Sequence, residues 1–188
     1  MSPDLNTFST QLCGLDGPQS NYQIDIPIRG KDVGLAAVVR VRAYADKPTA
    51  SPATIHVAAW LDTVVDSGGC TWLEVSKNDR DSQYGTFCTR EDHPWDAPKM
   101  QTVREITFDK PYAEAPKIVC WFSMIATERQ HNCRTKTYTG NITKTGFTLY
   151  ISTRADNIHY VATATRIAYP ANRTNISSGS YNTIDVQP

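Results

Sequence analysis

The segment from residue 108 to residue 169 constrains the fold most, because strand-like runs alternate with turn residues along it. Residues 117–125 form a nearly continuous apolar run, which is typical of a strand buried on both faces. Residues 146–152 alternate between apolar and polar, and residues 158–169 are rich in β-branched and aromatic side chains. The alternating run places three apolar residues on one face: Phe147, Leu149 and Ile151. The pattern predicts an antiparallel β-domain, a scaffold that commonly carries its function on loops.

Short motifs follow one another in a fixed order along the same segment. They are Ile106-Thr-Phe108, Pro111-Tyr112, Asn132-Cys-Arg134, Thr145-Gly-Phe147, Thr153, Asp156, Tyr160 and Arg166-Ile-Ala168. This ordered set resembles the H-type lectin family over residues 96–169. The resemblance implies an all-β fold, a six-stranded antiparallel β-sandwich. It also implies a homo-oligomer built on trimers, with N-acetylgalactosamine-type sugars bound in clefts between protomers.

An internal repeat with a spacing near 63 residues links the two halves of the chain. Five matches occur in the same order, among them Asp46-Lys-Pro48 with Asp109-Lys-Pro111 and Cys70 with Cys133. We therefore predict an N-terminal degenerate copy of the β-unit at residues 22–98, serving framework or assembly. The alternative is coincidence between β-rich segments, and the first copy has little room for its final strand. The remaining predicted parts are an extension at 1–21, the lectin-like domain at 99–170 and a polar tail at 171–188.

Composition narrows the possible partners. The formal net charge is 0 in 188 residues, so no basic footprint argues for nucleic acid. No apolar stretch approaches the roughly 20 residues that a membrane-spanning helix needs. The first residues lack a positive patch followed by an apolar run, so they do not predict a secretory signal. We expect a cytoplasmic or non-classically secreted protein whose partners are glycans or glycoproteins on the cell exterior.

The chain has five cysteines without a Cys-x-x-Cys pair: Cys13, Cys70, Cys88, Cys120 and Cys133. A structural zinc site is therefore not expected, and neither a metal nor another cofactor is predicted. The thiols are either all reduced or form at most two disulfides, and Cys13 is then the candidate for an unpaired or interchain thiol.

Arg134 is the main candidate for sugar binding, because a guanidinium offers five donors in a fixed fork. The resemblance places Arg134 on the sugar-contacting arginine of the family and Tyr160 on a tyrosine near the site, with Asp156 in the turn between them. Asn132 lies in the same turn as Arg134. The alternatives are a solvated arginine at a strand end, an ordinary turn asparagine and a tyrosine that packs at the start of a strand.

Arg154 departs from the family, which usually has tryptophan at this position. An arginine cannot supply the same apolar platform, and the neighbouring Ala155 is also smaller than usual. One hypothesis is that Arg134 and Arg154 together favour an acidic or sulfated sugar; the alternative is a site that has lost its function. Upstream, Asp96 is a candidate acceptor for sugar hydroxyls, and Trp95 could supply the missing stacking surface or serve as an interface or core residue.

Two other functional classes compete with a lectin. Glu91-Asp92-His93 and Asp156-Asn-Ile-His159 contain acid and base groups, but no carboxylate pair at the spacing of a glycosidase is apparent and no catalytic motif occurs. The other class is a β-sandwich scaffold that binds protein instead of sugar. The sequence favours a carbohydrate-binding protein without enzymatic activity, in which several sites act together.

Overall fold

The computed structural model describes residues 7–11, 39–45, 54–61, 63, 70, 73, 75, 79–128, 134–174 and 176–179. Within these ranges the regular secondary structure consists almost entirely of strands. In chain order they are β1 Thr7–Gln11, β2 Val39–Ala45, β3 Thr54–Ala59, β4 Gln83–Cys88, β5 Gln101–Thr107, β6 Lys117–Thr127, β7 Thr135–Gly140, β8 Gly146–Thr153 and β9 His159–Tyr169. A short 3₁₀ helix, Thr89–Glu91, follows β4.

The strands form two sheets in which every pairing is antiparallel. The larger sheet has the order β1-β3-β2-β6-β9-β4, and the smaller has the order β5-β8-β7. Strands β4 to β9 give three strands to each sheet and share one core, so they form a six-stranded sandwich. The predicted all-β antiparallel sandwich is confirmed.

In the sandwich core, large side chains of β8 lie opposite small side chains of β9. In β8, Phe147, Leu149 and Ile151 are buried on one face, as the alternation predicted. Opposite them lie Ala162 and Ala164 of β9, which are 0% exposed. Facing side chains of different size can interdigitate at the packing density typical of protein cores.

Strand β6 differs from its prediction. It lies at the centre of the larger sheet, between β2 and β9, but most of its residues are only half-buried. Ile118, Cys120 and Phe122 pack against the core. The opposite face of the strand borders a cleft that Met124 and Ala126 line.

The N-terminal strands extend the larger sheet through the pairing of β2 with β6. A repeat spacing near 63 residues places β3 on the first half of β6. Strand β3 pairs with β1 and β2, whereas β6 pairs with β2 and β9. Strand β4, which precedes the predicted boundary at residue 98, pairs with β9 beyond it. The repeat and the domain boundaries stay predictions.

The first part of the polar C-terminal segment is docked on the sandwich. Arg173 donates to the Asp79 carboxylate at 2.7 Å, and the Tyr169 hydroxyl donates to Ser178 Oγ at 2.6 Å. The Arg173 guanidinium is the main reason that the pKa of Asp79 falls to about 2. In the parts of the chain that the structure describes, no helix is long and apolar enough to cross a bilayer.

Candidate functional site

An ion pair joins two of the predicted site residues at one end of the sandwich. Arg134 immediately precedes β7 and Asp156 lies in the turn between β8 and β9, and the pairing of Thr135 with Thr153 brings these segments together. Arg134 Nη1 lies 2.7 Å from Asp156 Oδ1. The two side chains keep 34% and 54% of their surfaces exposed, so both can also reach a ligand. An exposed pair of this kind adds at most about 1 kcal/mol to stability, so its importance lies in orienting the guanidinium.

The β8–β9 turn holds Asp156 outward by means of its neighbours. Ala155 has a φ of 59°, in the left-handed region that a residue with a Cβ rarely adopts. The Thr153 hydroxyl donates to the backbone carbonyl of Asn157 at 3.2 Å, and also contacts the Asn157 side-chain oxygen at 2.5 Å. Asn157 itself is buried. The turn is thus fixed from beneath, while the Asp156 carboxylate stays at the surface.

A buried histidine supports the same end of the sandwich. His159 is only 4% exposed, and its Nε2 is hydrogen-bonded to Thr135 Oγ1, next to Arg134. Burial lowers the pKa of His159 from 6.5 to about 4, so the ring is neutral at neutral pH. The sequence suggested His159 only as an acid or base of an enzyme. In the structure it positions the start of β7 instead.

Two further site residues, Trp95 and Tyr160, contact each other. Their ring centroids lie 6.2 Å apart in an edge-to-face arrangement, and Trp95 keeps 54% of its surface exposed. The segment that carries Trp95 is anchored by buried His93, whose ring nitrogens lie 3.0 Å from the Pro94 carbonyl and 3.1 Å from Thr102 Oγ1. Since Tyr160 follows His159 in β9, the aromatic pair lies at the same end of the sandwich as Arg134.

The aromatic pair forms one wall of a cleft of about 660 Å³. The opposite wall comes from β2 and from the segment after β3. The residues that line the cleft and that the sequence analysis did not assign to a site include Arg40, Arg42 and Trp60. Alternation along β2 places Arg40 and Arg42 on one face, which was the available signal. It could not show that this face lies next to Tyr160.

The remaining predicted residues stay apart from these two pairs. Asp96 is exposed in the turn after Trp95, and Arg154 is exposed at the start of the β8–β9 turn. Neither side chain makes a hydrogen bond or ion pair with any residue that the structure describes. Asn132 lies outside the described residues, so its predicted role is untested.

Three of the five cysteines have described positions. Cys70, Cys88 and Cys120 are free thiols, and burial raises the pKa of Cys70 and of Cys120. Cys13 and Cys133 lie outside the described residues. Among the residues with described positions, no group of three or more His, Cys, Asp or Glu side chains is placed to hold a metal ion.

Comparison with known proteins gives a family match and a similar solved structure. Residues 103–169 match the family model of the H-type lectin domain. No curated protein matches the sequence. Among solved structures, recombinant discoidin II of Dictyostelium discoideum is similar, with 16% sequence identity and a TM-score of 0.42. The alignment covers 64% of this chain and 50% of the discoidin chain, so it spans about half the length of that protein.

Proposed function

We propose that the protein binds carbohydrate reversibly and without catalysis, because residues 103–169 match the family model of the H-type lectin domain. The observation that carries the proposal is the pair of Arg134 and Asp156, two exposed and oppositely charged groups held 2.7 Å apart. A sugar hydroxyl both donates and accepts hydrogen bonds. A guanidinium beside a carboxylate offers a donor and an acceptor to neighbouring hydroxyls at once.

The ion pair also makes the guanidinium ready to bind. One of its nitrogens is engaged by Asp156, which restricts the side chain, while the rest of the fork stays available to a ligand. The hydrogen bond between His159 and Thr135 fixes the start of β7, which Arg134 immediately precedes. Less side-chain freedom is then lost on binding, and this favours affinity at a shallow site.

Trp95 and Tyr160 are the proposed apolar surface for the ring of the sugar. The resemblance expects a tryptophan at position 154, where this chain has an exposed arginine. Trp95 is more than half exposed and is held against Tyr160 at the same end of the sandwich. We propose that it supplies the stacking face that Arg154 cannot offer, with Asp96 beside it as an acceptor for a hydroxyl.

We propose galactose or N-acetylgalactosamine type sugars as the ligands, by resemblance to the family, or acidic and sulfated glycans because of Arg154. A single exposed site of this size binds weakly. Several sites on one oligomer raise the avidity without any new contact when their spacing fits the target. A homotrimer, or a multiple of three, is therefore part of the proposal.

A glycan array with the wild type and Arg134→Ala tests the proposal. We expect selective binding that falls by roughly tenfold or more in the variant, since a charge-assisted hydrogen bond contributes about 1.5–3 kcal/mol. Arg80→Ala is the matched control. Arg80 is exposed beside β4, whose first residue pairs with Ala168 at the other end of β9.

The outcomes separate the competing functions. Binding that is unchanged in Arg134→Ala would keep the lectin but move its site, with Trp95 the next residue to replace. A folded wild type that binds no glycan on the array would overturn the proposal. It would favour the alternative of a β-sandwich scaffold that recognises protein.

A further inference from the structure

We propose that the cleft lined by Arg40, Arg42, Arg90, Trp60, Trp95 and Tyr160 is a binding site for an anionic sugar, one whose ring carries a sulfate ester or a carboxylate. The inference rests on the proposed lectin function and names the ligand class of a cleft at the same end of the sandwich as the Arg134–Asp156 pair. Its cations come from β2 and from the 3₁₀ helix, both outside residues 103–169.

The pairing of strands explains how the three arginines meet. In the larger sheet Arg42 pairs with Met124 and Arg40 pairs with Ala126, and Ala126 pairs in turn with Val161 of β9. Arg40 and Arg42 of β2 therefore lie on the same face of the sheet as Val161, near the start of β9. Arg90 and Trp95 approach that face from the segment after β4, so the cleft is closed on two sides.

The charge in the cleft is one-sided. The described residues that line it include three arginines and no carboxylate. Arg42 and Arg90 make no ion pair with any residue in the described ranges. Because the chain as a whole has a formal net charge of 0, this cationic concentration is local. An anion that enters the cleft meets the positive charge of Arg42 and Arg90, and low-dielectric walls strengthen the attraction.

Arg42 is also oriented for an oxyanion. Its guanidinium lies 4.7 Å from the centroid of the Tyr44 ring, and that ring is stacked on His56 at 4.7 Å with an interplanar angle of 13°. Stacking holds the plane of the guanidinium and leaves its edge open. The edge of an arginine fork matches the oxygens of a sulfate or a carboxylate.

The apolar residues of the cleft suit a sugar ring. Trp60, Trp95 and Tyr160 offer aromatic surface for the C–H face of a saccharide, and Met124 contributes apolar area. The volume of about 660 Å³ lies within the range of small-molecule sites, roughly 300–1,000 Å³. Basic and aromatic side chains together also suit a single-stranded nucleic acid. We favour sugar because Tyr160 belongs to the lectin domain and lies in the cleft.

Calorimetric titration with three galactose probes tests the proposal: galactose itself, its 6-sulfate and galacturonic acid. The cleft variant is the double substitution Arg42→Gln and Arg90→Gln. The control is the double substitution Arg80→Gln and Lys117→Gln, which removes the same charge from exposed residues elsewhere. We expect the wild type to prefer one or both anionic sugars, and the cleft variant to lose that preference by roughly tenfold or more while the control keeps it. A preference for the sulfate alone or the carboxylate alone identifies the anion.

Three results would overturn the inference. Equal binding of neutral and anionic sugars by the wild type would leave the lectin intact and show that the cleft does not select charge. A preference retained in the cleft variant would place the anion elsewhere, with Arg154 as the first residue to replace. Displacement of the anionic sugar by a short oligothymidylate at a lower concentration than that of the sugar would assign the cleft to nucleic acid. Loss of sugar binding in Arg134→Ala, by contrast, is the result that the proposed function expects. It is separate from the test of the cleft, because the cleft variant keeps Arg134.

Discussion

Acidification should destabilise the protein through one buried side chain, His159. Burial holds the pKa of His159 at about 4, compared with 6.5 for an ordinary histidine. Between these two values the unfolded chain binds a proton that the folded chain does not, so stability falls as the pH falls. It is fully present above pH 6.5 and is lost progressively towards pH 4.

The size of the effect follows from the two pKa values. From pH 7 to pH 5 the difference in proton binding amounts to about 2 kcal/mol of unfolding free energy. Because the ring is only 4% exposed, solvent screening reduces this figure little. Most carboxylates remain ionised at pH 5, so they contribute little in this interval.

Urea denaturation followed by tryptophan fluorescence at pH 7 and pH 5 measures the effect. The comparison is between the wild type and His159→Gln, which keeps an amide for the Thr135 hydroxyl but does not titrate. The other three histidines are common to both proteins, so they cancel in the difference. We expect the wild type to lose about 2 kcal/mol more than the variant. Equal losses in the two proteins would refute the account of His159.

Four further substitutions, in two matched pairs, test the turn at Ala155 and the assignment of the core. In a urea titration, Ala155→Gly should raise the free energy of unfolding by up to about 1 kcal/mol, because glycine adopts the φ of 59° without strain. The control Ala113→Gly, at a position where φ is not positive, should give no gain. Leu149→Ala should cost about 2–5 kcal/mol, since Leu149 is 0% exposed and truncation leaves a cavity. Ile142→Ala, at a position that is 38% exposed, should change stability by less than about 1 kcal/mol, and comparable losses in these two variants would contradict the assignment of the core.

Local patterns in the sequence predicted what depends on neighbouring residues. Alternation in β8 identified the buried face of Phe147, Leu149 and Ile151, because the side chains of a strand alternate between two environments. The motif order placed Arg134 and Asp156 in one site, and the structure brings their side chains into contact.

Long-range pairing could not be predicted in this way. Alternation shows which face of a strand is apolar, but not which strand lies beside it. The pairing of Gln83 with Ala168 joins β4 to β9 across a long stretch of chain, and it places the first strand of the sandwich before the predicted boundary. The cleft has the same origin, because the pairing of β2 with β6 places Arg42 beside Met124.

The burial of His159 was missed for a different reason. A histidine three residues after an aspartate, next to a predicted turn, is typical of a solvated or catalytic group. Its position becomes clear only when the start of β9 is placed beneath β7, where Thr135 contacts the ring.

Titration calorimetry with a neutral sugar that the wild type binds tests the central claim most directly, using Arg134→Ala, Asp156→Ala and the double variant. Because Asp156 orients the guanidinium, the pair should act as a unit. We predict that each single variant loses roughly tenfold or more in affinity and that the double variant loses no more than Arg134→Ala alone. Losses that add independently, or affinity unchanged by all three variants, would contradict a sugar site built on this pair.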